Sequence, residues 1–339
     1  MIERALFIQL KCLGDILMIT PAVRAFKRHF PNATLDVAVE PPGEDIVRLN
    51  PFVDNVVIVE GGNWLSLYRQ AMTLAKLRQK RYDLSIDFLG NPRTAHYTFV
   101  IGARLRAGYG ESRFRYAYNM FCDRTDEYSA IAKLRFLVPF GIESDDCRLD
   151  FVVDPEAELP DPIKIIGEEP VVAISPVSPK PHRIWPIENY AKLAEHIYHE
   201  FGFRSAVIVG PGEEITLGEF RKFAKSPCIL LQIENLMTLG AALQQCCLLV
   251  GNDNGPKHFA TALGLPTFTI YYPESNPKSW TFPDSLRHRF VGGLNQLESL
   301  PISDIPFELV ASRVVAMVKD LDLAISAPPR SANSRSDHR

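Results

Sequence analysis

The chain has 339 residues, 46% of them hydrophobic, and a formal net charge of −3 at pH 7. At roughly 150 residues per domain, this length predicts about two domains, and the hydrophobic content is sufficient for two packed cores. The lack of a Lys and Arg surplus excludes the usual signature of a nucleic-acid-binding protein. Six cysteines without a CxxC pair predict free thiols in a reducing compartment, and neither a disulfide framework nor a zinc site.

The N-terminal half alternates patterns typical of strands with patterns typical of amphipathic helices. The predicted strands are 5–10, 35–39, 55–59, 84–88 and 107–109, and the predicted helices are 16–30, 64–80 and 93–102. This alternation predicts a parallel, doubly wound sheet with right-handed crossovers.

A second cycle of the same kind follows an acidic, proline-rich stretch, 140–170, which is predicted to link two domains. Its predicted strands are 171–175, 205–210, 248–250 and 266–271, and its predicted helices are 187–201, 213–225, 236–246, 256–264 and 306–323. We therefore expect an α/β protein with two Rossmann-like domains, 1–160 and 161–325, facing a cleft at the carboxyl ends of both sheets. The Ser, Arg and Pro-rich tail, 326–339, is predicted to be disordered.

The stretch 248–271 contains a buried strand, a polar turn, a short helix and a second buried strand. Pro256 suits the first turn of the helix because its missing N–H would be unpaired there in any case. The free N–H groups and the positive end of the helix dipole would suit an anion such as a diphosphate.

This stretch resembles the donor-site signature of glycosyltransferase family 9, the lipopolysaccharide heptosyltransferases. The signature begins with Asp, a small hydroxyl residue and Gly. A His follows, and after it come Ala, Gly, Pro and Thr. The matching residues are Asp253, Gly255, His258, Ala262, Gly264, Pro266 and Thr267. Asn254 replaces the small hydroxyl residue and can still donate a hydrogen bond. The resemblance implies the GT-B fold, with an N-terminal acceptor domain and a C-terminal nucleotide-sugar domain.

A second motif of this family is similar to the segment after the first predicted strand, where Leu13, Gly14 and Asp15 match. Gln9 stands where the family has a basic residue, and Lys11 lies two places further on. The resemblance implies Asp15 as the catalytic base, which would take the proton of the acceptor hydroxyl. A helix N-terminus predicts a normal or lowered pKa for Asp15. The alternative is that Asp15 only caps its helix.

Three further segments resemble parts of the family's donor site. Before Trp185-Pro186, Arg183 replaces a lysine and Ser178 stands where a hydroxyl residue is expected. Arginine can bind a diphosphate bidentately, although a solvated loop charge is the alternative. Glu213 is implied to hold the ribose hydroxyls, or else is an acid favouring its helix. Met237 is implied to lie beside the adenine, or else is a core residue.

Asp253 and His258 complete the implied donor site. A carboxylate would repel a phosphate, so Asp253 is expected to bind sugar hydroxyls or to cap the short helix. His258 is expected to reach a phosphate or sugar oxygen, with a purely structural histidine as the alternative.

On the acceptor side, we predict Lys11 and Arg93 as binding residues because the lipopolysaccharide core is acidic. Solvated charges on helix faces are the alternative for a wider group of arginines, namely Arg93, Arg104, Arg106, Arg113 and Arg115. Without a DxD motif or a carboxylate cluster, no metal and no cofactor are predicted, so Arg183 and backbone N–H groups would receive the charge of the leaving group.

The resemblance to glycosyltransferase family 9 implies an inverting, metal-independent transferase that moves heptose from ADP-heptose, or another nucleotide-sugar, to the lipopolysaccharide inner core. The alternatives are a nucleotide-sugar epimerase and a non-catalytic nucleotide-sugar-binding protein. No Gly-x-Gly-x-x-Gly follows the first strand, which argues against a dehydrogenase. Without a secretory signal or an apolar stretch of 18 residues, we expect a cytoplasmic protein that contacts the inner face of the inner membrane peripherally.

Overall fold

In a computed structural model, residues 2–60, 64–161, 170–294 and 300–323 are described, except for the side chains of 64–67. The chain divides into two compact units. The first comprises Met1–Glu156, Thr261–Leu263 and Asn276–Pro283, and the second comprises Ala157–Ala260, Gly264–Ser275 and Asp284–Arg339. The predicted boundary at residue 160 differs from this division, because it assigned Thr261–Leu263 and Asn276–Pro283 to the second domain. The predicted tail, 326–339, lies outside the described residues.

The first unit contains a six-stranded parallel sheet with the order β3-β2-β1-β4-β5-β6. Its strands are β1 Arg4–Ile8, β2 Thr34–Val39, β3 Asn55–Ile58, β4 Leu84–Asp87, β5 Leu105–Tyr109 and β6 Met120–Cys122. Its helices are α1 Leu13–His29, α2 Glu44–Arg48, α3 Trp64–Gln79, α4 Pro92–Ile101 and α5 Ser129–Leu134. The strand order reverses between β1 and β4, and ligands of such sheets bind outside the carboxyl ends at this point.

Local sequence explains where the helices of the first unit begin and end. Helix α4 begins at Pro92 behind a capping box, in which the Asn91 side chain accepts from the backbone N–H of Thr94 and the Thr94 side chain accepts from that of Asn91. It ends at Gly102, whose φ of 69° lies in the left-handed region that glycine adopts without strain.

The second unit contains another six-stranded parallel sheet, with the order β12-β11-β10-β7-β8-β9. Its strands are β7 Val171–Ser175, β8 Arg204–Val209, β9 Cys228–Gln232, β10 Leu248–Asn252, β11 Thr267–Tyr271 and β12 His288–Gly292. Its helices are α6 Ile187–Phe201, α7 Glu214–Phe223, α8 Leu236–Leu243, α9 Gly255–Ala262 and α11 Phe307–Asp320, whereas α10 Pro277–Trp280 groups with the first unit. The order reverses between β7 and β10.

Burial explains the continuous apolar strands of the second unit. Strands β7, β10 and β11 are buried along their whole length, as expected for parallel strands with helices on both faces. Trp185, Tyr190 and Phe268 are the bulky members of the core that these strands share with α6 and α11.

The structure confirms the predicted fold class of two doubly wound parallel sheets. The prediction omitted three strands, β6, β9 and β12, each of which lies at the edge of its sheet. An edge strand has only one neighbour and is partly exposed, so its sequence carries a weaker strand pattern. In the described parts of the chain, no helix combines the length and apolar character needed to cross a bilayer.

Candidate active site

Asp15 lies at the carboxyl edge of the first sheet, beside the point where the strand order reverses. Strand β1 ends at Ile8 and helix α1 begins at Leu13, so Asp15 lies inside the first helical turn. The N-cap residue is Cys12, which has a φ of 65° and makes no side-chain capping bond. Asp15 is therefore a helical residue at this edge and not the capping residue.

Burial raises the pKa of Asp15 above its usual value. The Lys133 ammonium and a hydrogen bond from the Cys12 side chain act in the opposite direction without cancelling it. The expectation of a normal or lowered pKa was wrong, because loss of hydration outweighs the favourable helix end. A raised pKa makes the ionised carboxylate a stronger base.

Lys133 is a cation at this edge that the sequence analysis did not identify. It belongs to α5, is only 6% exposed, and its Nζ donates to the Phe88 carbonyl at 2.6 Å and to the Tyr109 hydroxyl at 2.9 Å. Phe88 follows β4 and Tyr109 ends β5, so two strands fix the position of this ammonium. In the sequence, the only feature that could have indicated Lys133 as a site residue is its position within a short apolar helix, and this feature is weak.

Gln9, which stands where the family has a basic residue, makes a hydrogen bond within its own loop. Gln9 is fully buried, and its Nε2 donates to the Lys11 carbonyl at 3.0 Å. The side chain of Lys11 is exposed. Gln9 therefore shapes the loop before Asp15, and Lys11 remains a prediction for the acceptor side.

Arg93, in the first turn of α4, already has protein partners. Its guanidinium pairs with the Glu40 carboxylate and donates to the Tyr97 hydroxyl at 2.7 Å and the Glu60 carbonyl at 3.0 Å. Of the other arginines, Arg106 donates to two backbone carbonyls. An acceptor role for Arg93 stays a prediction, and it requires an acidic group to compete with Glu40.

In the second unit, the loops after β7 and β10 are tied together at the carboxyl edge of the sheet. Asn254 Nδ2 donates to Ser175 Oγ at 2.9 Å, and Asn252 Oδ1 accepts from the Trp185 backbone N–H at 3.1 Å and the Tyr190 hydroxyl at 2.9 Å. These contacts bring together the Arg183 loop and the Gly255 turn, which the sequence analysis expected to share a site. The amide N–H groups of Asn254 are used in this contact, so phosphate binding by Asn254 stays a prediction.

Arg183 has a donor that no side chain in the described residues uses. Its guanidinium carbon lies 3.9 Å from the centre of the Tyr272 ring, and its Nε is buried without a hydrogen-bond partner there. Tyr272 follows β11, so a third loop contributes to the same edge. Ser178 is partly buried, and its Oγ accepts from the Lys180 N–H at 3.4 Å. A cation with an unused donor at this edge suits an anionic ligand.

Asp253 pairs with a buried lysine that the sequence analysis did not select. Lys257 Nζ contacts Asp253 Oδ1 and donates to the Tyr271 hydroxyl at 2.9 Å, while Ser275 Oγ donates to Asp253 Oδ2 at 3.1 Å. Burial disfavours the ionised carboxylate, but Lys257, His258 and these hydrogen bonds outweigh it, so the pKa of Asp253 lies below its usual value. The i,i+4 spacing of Asp253 and Lys257 was the available signal.

The remaining predicted donor residues occupy the same sheet edge with differing surroundings. His258 is buried, and burial together with the neighbouring Lys257 lowers its pKa to about 3, so it is a neutral imidazole near pH 7. Glu213 precedes α7, and its Oε2 accepts from the Gly210 N–H at 2.8 Å. Met237 is partly buried on α8. The donor roles of these three residues stay predictions.

The sequence profile described as glycosyltransferase family 9 (heptosyltransferase) matches residues 72–300. The chain belongs to glycosyltransferase family 9. The resemblance drawn from the motifs is thereby confirmed, and the protein is a glycosyltransferase.

Named relatives and solved structures agree with this family 9 assignment. Lipooligosaccharide heptosyltransferase 2 of Haemophilus influenzae is 26% identical over 286 residues, covering 78% of this chain and 81% of the relative. The crystal structure of a family 9 glycosyl transferase from Veillonella parvula superposes with a TM-score of 0.79 at 19% identity, covering 96% of this chain and 97% of the other. The Escherichia coli heptosyltransferase WaaC with ADP gives 0.74 at 16% identity, covering 93% and 99%. At these identities the structures show that this family 9 glycosyltransferase shares their fold.

Proposed function

We propose that this glycosyltransferase moves a heptose from ADP-heptose to the inner core of lipopolysaccharide, with inversion at the anomeric carbon and without a metal. The observation that carries the proposal is a partly buried carboxylate with a raised pKa, Asp15, at the carboxyl edge of a family 9 fold. The Haemophilus influenzae and Escherichia coli proteins named above are heptosyltransferases, and the structure of the latter holds ADP. These names support the sugar and the nucleotide proposed for this chain.

In the proposed reaction, an acceptor hydroxyl attacks the anomeric carbon on the face opposite the diphosphate. A new C–O bond forms, the bond from the anomeric carbon to the phosphate oxygen breaks, and ADP leaves with the bonding electrons. Asp15 takes the hydroxyl proton, and its raised pKa favours this transfer as the attacking oxygen becomes acidic. Attack from the opposite face inverts the anomeric configuration.

The second unit supplies groups for the departing diphosphate. The Nε of Arg183 is buried and has no hydrogen-bond partner in the described residues. Helix α9 starts at Gly255, so the backbone N–H groups of its first turn are a second set of donors. Preorganised donors of this kind stabilise charge that develops in the transition state. Lys257 neutralises Asp253, which removes the repulsion that an isolated carboxylate would exert on a nearby phosphate.

The proposed acceptor is anchored in a membrane, so we place the enzyme at the cytoplasmic face of the inner membrane. Lys11 is the exposed cation next to the Asp15 turn and is proposed to contact the acidic core. Arg93 is proposed to exchange Glu40 for an acidic group of the acceptor.

The first prediction concerns Asp15→Asn, tested with ADP-heptose and a heptose-deficient lipopolysaccharide core. The variant should fold and bind ADP normally, but its rate of ADP release should fall about 10²- to 10⁴-fold because the proton acceptor is lost. Asp126→Asn, an exposed carboxylate of the same unit, should retain wild-type turnover. The measurement is ADP release with and without the core, compared with UDP- and GDP-sugars.

Three outcomes would contradict the proposal. Near-wild-type turnover of Asp15→Asn removes that residue from the role of base. Conversion of the donor without any acceptor indicates an epimerase. Tight donor binding without product indicates a nucleotide-sugar-binding protein.

A further inference from the structure

One part of the first unit is strongly basic. Residues 64–124 contain eleven Lys and Arg against four Asp and Glu, whereas the whole chain carries a net charge of −3. Between Trp64 and Tyr82 the sequence has five basic residues and no acidic one. A charge concentration of this size within an acidic chain indicates an interaction with an anionic partner.

Apolar side chains are exposed in the same part of the unit. On α3, Gln70 and Leu77 are buried, while Tyr68 and Met72, one turn apart, are 68% and 45% exposed. On α4, Phe99 is 50% exposed. Large apolar side chains that remain in water on adjoining elements mark interaction surfaces more often than isolated ones do.

These side chains belong to one surface because α3 and α4 pack side by side. The Tyr97 hydroxyl of α4 contacts the Gln70 amide of α3, and Arg78 Nη1 of α3 donates to the Val100 carbonyl of α4. The Phe99 ring extends the surface to the turn before β6, since its centre lies 5.7 Å from that of Tyr116, which is 59% exposed.

Exposed cations lie on the elements that carry the exposed rings and on the loops next to them. Lys76, Arg104, Arg113 and Arg115 are exposed, and none of them has an acidic partner in the part of the chain that the structure describes. The Arg115 guanidinium lies 4.5 Å from the Phe121 ring centre. Three of the four acids of this region have partners of their own. Glu111 pairs with Arg124, Asp87 is buried in its own hydrogen bonds, and Asp83 accepts from two backbone N–H groups, whereas Asp123 is exposed. We name this surface the basic aromatic face, comprising Tyr68, Met72, Lys76, Phe99, Arg104, Arg113, Arg115 and Tyr116.

We propose that the basic aromatic face binds the surface of a bilayer that contains anionic lipids. Tyr, Phe and Met side chains reach into the interfacial region, and Lys and Arg attract anionic head groups. A second copy of this chain is disfavoured on this face because two surfaces of the same charge repel each other. The binding does not depend on which sugar the enzyme transfers.

The location of the basic aromatic face relates membrane binding to the transfer reaction. This relation rests on the proposed function. Helix α3 begins at Trp64, soon after β3 ends at Ile58, so Tyr68 lies near the carboxyl edge of the sheet. Asp15 lies at the same edge of the same unit. The Tyr68 end of the face would therefore hold a lipid-anchored acceptor at the edge of the unit where the proposed base lies.

The experiment is vesicle co-sedimentation of the full-length protein. It compares phosphatidylcholine vesicles with vesicles containing 30% phosphatidylglycerol, a proportion of roughly the order used to mimic anionic membranes. We expect binding to the anionic vesicles only, weakening as salt is raised from about 0.05 to 0.5 M. Lys76→Glu/Arg104→Glu/Arg113→Glu should lower the partition coefficient by at least about 100-fold, since the loss of each surface cation alone costs about fivefold and each added carboxylate is repelled.

Matched controls separate this face from general charge and hydrophobicity. Arg221→Glu/Lys222→Glu/Lys225→Glu makes the same charge change on exposed residues of the second unit and should bind like wild type. Tyr68→Ser/Phe99→Ser should weaken binding about tenfold, whereas Ile215→Ser/Leu286→Ser, equally exposed apolar residues elsewhere, should not.

Equal binding to neutral vesicles, no vesicle binding, or equal losses in the control variants would overturn the proposal. So would a dimer in sedimentation velocity that dissociates in the Tyr68→Ser/Phe99→Ser variant, because the face would then bind a second copy. Transfer to a lipid-free core oligosaccharide tests the reaction separately. That assay can succeed while vesicle binding fails, and the reverse is equally possible.

Discussion

At the scale of single residues, the two sheet edges use charge in opposite ways. The Lys133 ammonium lowers the pKa of Asp15, but its effect does not overcome burial, so this pKa is raised. Asp253 has a hydrogen-bonded ion pair with Lys257 and a further hydrogen bond from Ser275, so its pKa is lowered. The first arrangement suits a proton acceptor, and the second suits a fixed carboxylate that stays ionised.

A prediction follows for the pH dependence of catalysis. The base must be ionised, so kcat/KM should fall as the pH drops through the raised pKa of Asp15, above the usual carboxyl value of about 3.9. Lys133→Met removes the cation that lowers this pKa, so the acid limb of the kcat/KM profile should move to higher pH. Lys133→Arg keeps the positive charge, so its acid limb should lie at the wild-type pH. The measurement is the pH profile of kcat/KM for each variant. An unchanged limb in Lys133→Met would separate Lys133 from Asp15.

The Asp253–Lys257 pair leads to a prediction about stability. Lys257 is 2% exposed, so Lys257→Met leaves a buried carboxylate unpaired and should cost about 3–5 kcal/mol of unfolding free energy near pH 7. Because the folded-state pKa of Asp253 is depressed, the pair stabilises above the unfolded value of about 3.9, and its contribution is lost as the pH falls through the folded value. The difference between variant and wild type should therefore be large at pH 7 and small in strong acid.

Urea unfolding at several pH values measures this difference. Asp253→Asn/Lys257→Met removes both charges and should be more stable than Lys257→Met alone. If the double variant were as unstable as the single one, the loss would come from packing around the lysine stem and not from charge.

At the scale of elements, close approach of strands positions the donor-side loops. A Cβ built at Gly251 on β10 would lie 2.7 Å from the Ser175 carbonyl oxygen on β7, and a backbone atom cannot move aside easily. Because Gly251 has no side chain, β7 and β10 can pair at their carboxyl ends, from which the two loops continue. Hydrogen bonds from Asn252 and Asn254 to the β7 loop depend on this pairing.

Gly251→Ala should consequently destabilise the protein by about 1–3 kcal/mol and weaken ADP binding, because the strands must separate. Gly218→Ala is the matched control: it lies exposed within α7, where an added Cβ meets nothing within 4 Å. That variant should be stabilised by about 0.5–1 kcal/mol through helix propensity. Thermal unfolding and ADP titration of both variants check the difference, and equal effects would contradict the close-approach argument.

At the scale of the whole molecule, two parallel sheets of the same construction carry different chemistry at their carboxyl edges. The first edge holds Asp15, a carboxylate with a raised pKa, and the second holds Arg183, whose Nε has no hydrogen-bond partner in the described residues, beside a short helix. Charge is also uneven along the chain, since a basic stretch lies within a chain of net negative charge. The fold supplies two similar platforms, and their loops determine what each one binds.

The sequence by itself determined the fold class, nine of the twelve strands and the family, because apolar periodicity and the spacing of Asp253, Gly255 and His258 are local properties. Only the tertiary structure decided the direction of the Asp15 pKa shift, the partners of Arg93 and the contact of Asn254 with Ser175. Lys133 and Lys257 also came only from the structure. The loss of hydration at Asp15 and the ion pair of Arg93 with Glu40 depend on residues distant in sequence, which no local pattern encodes.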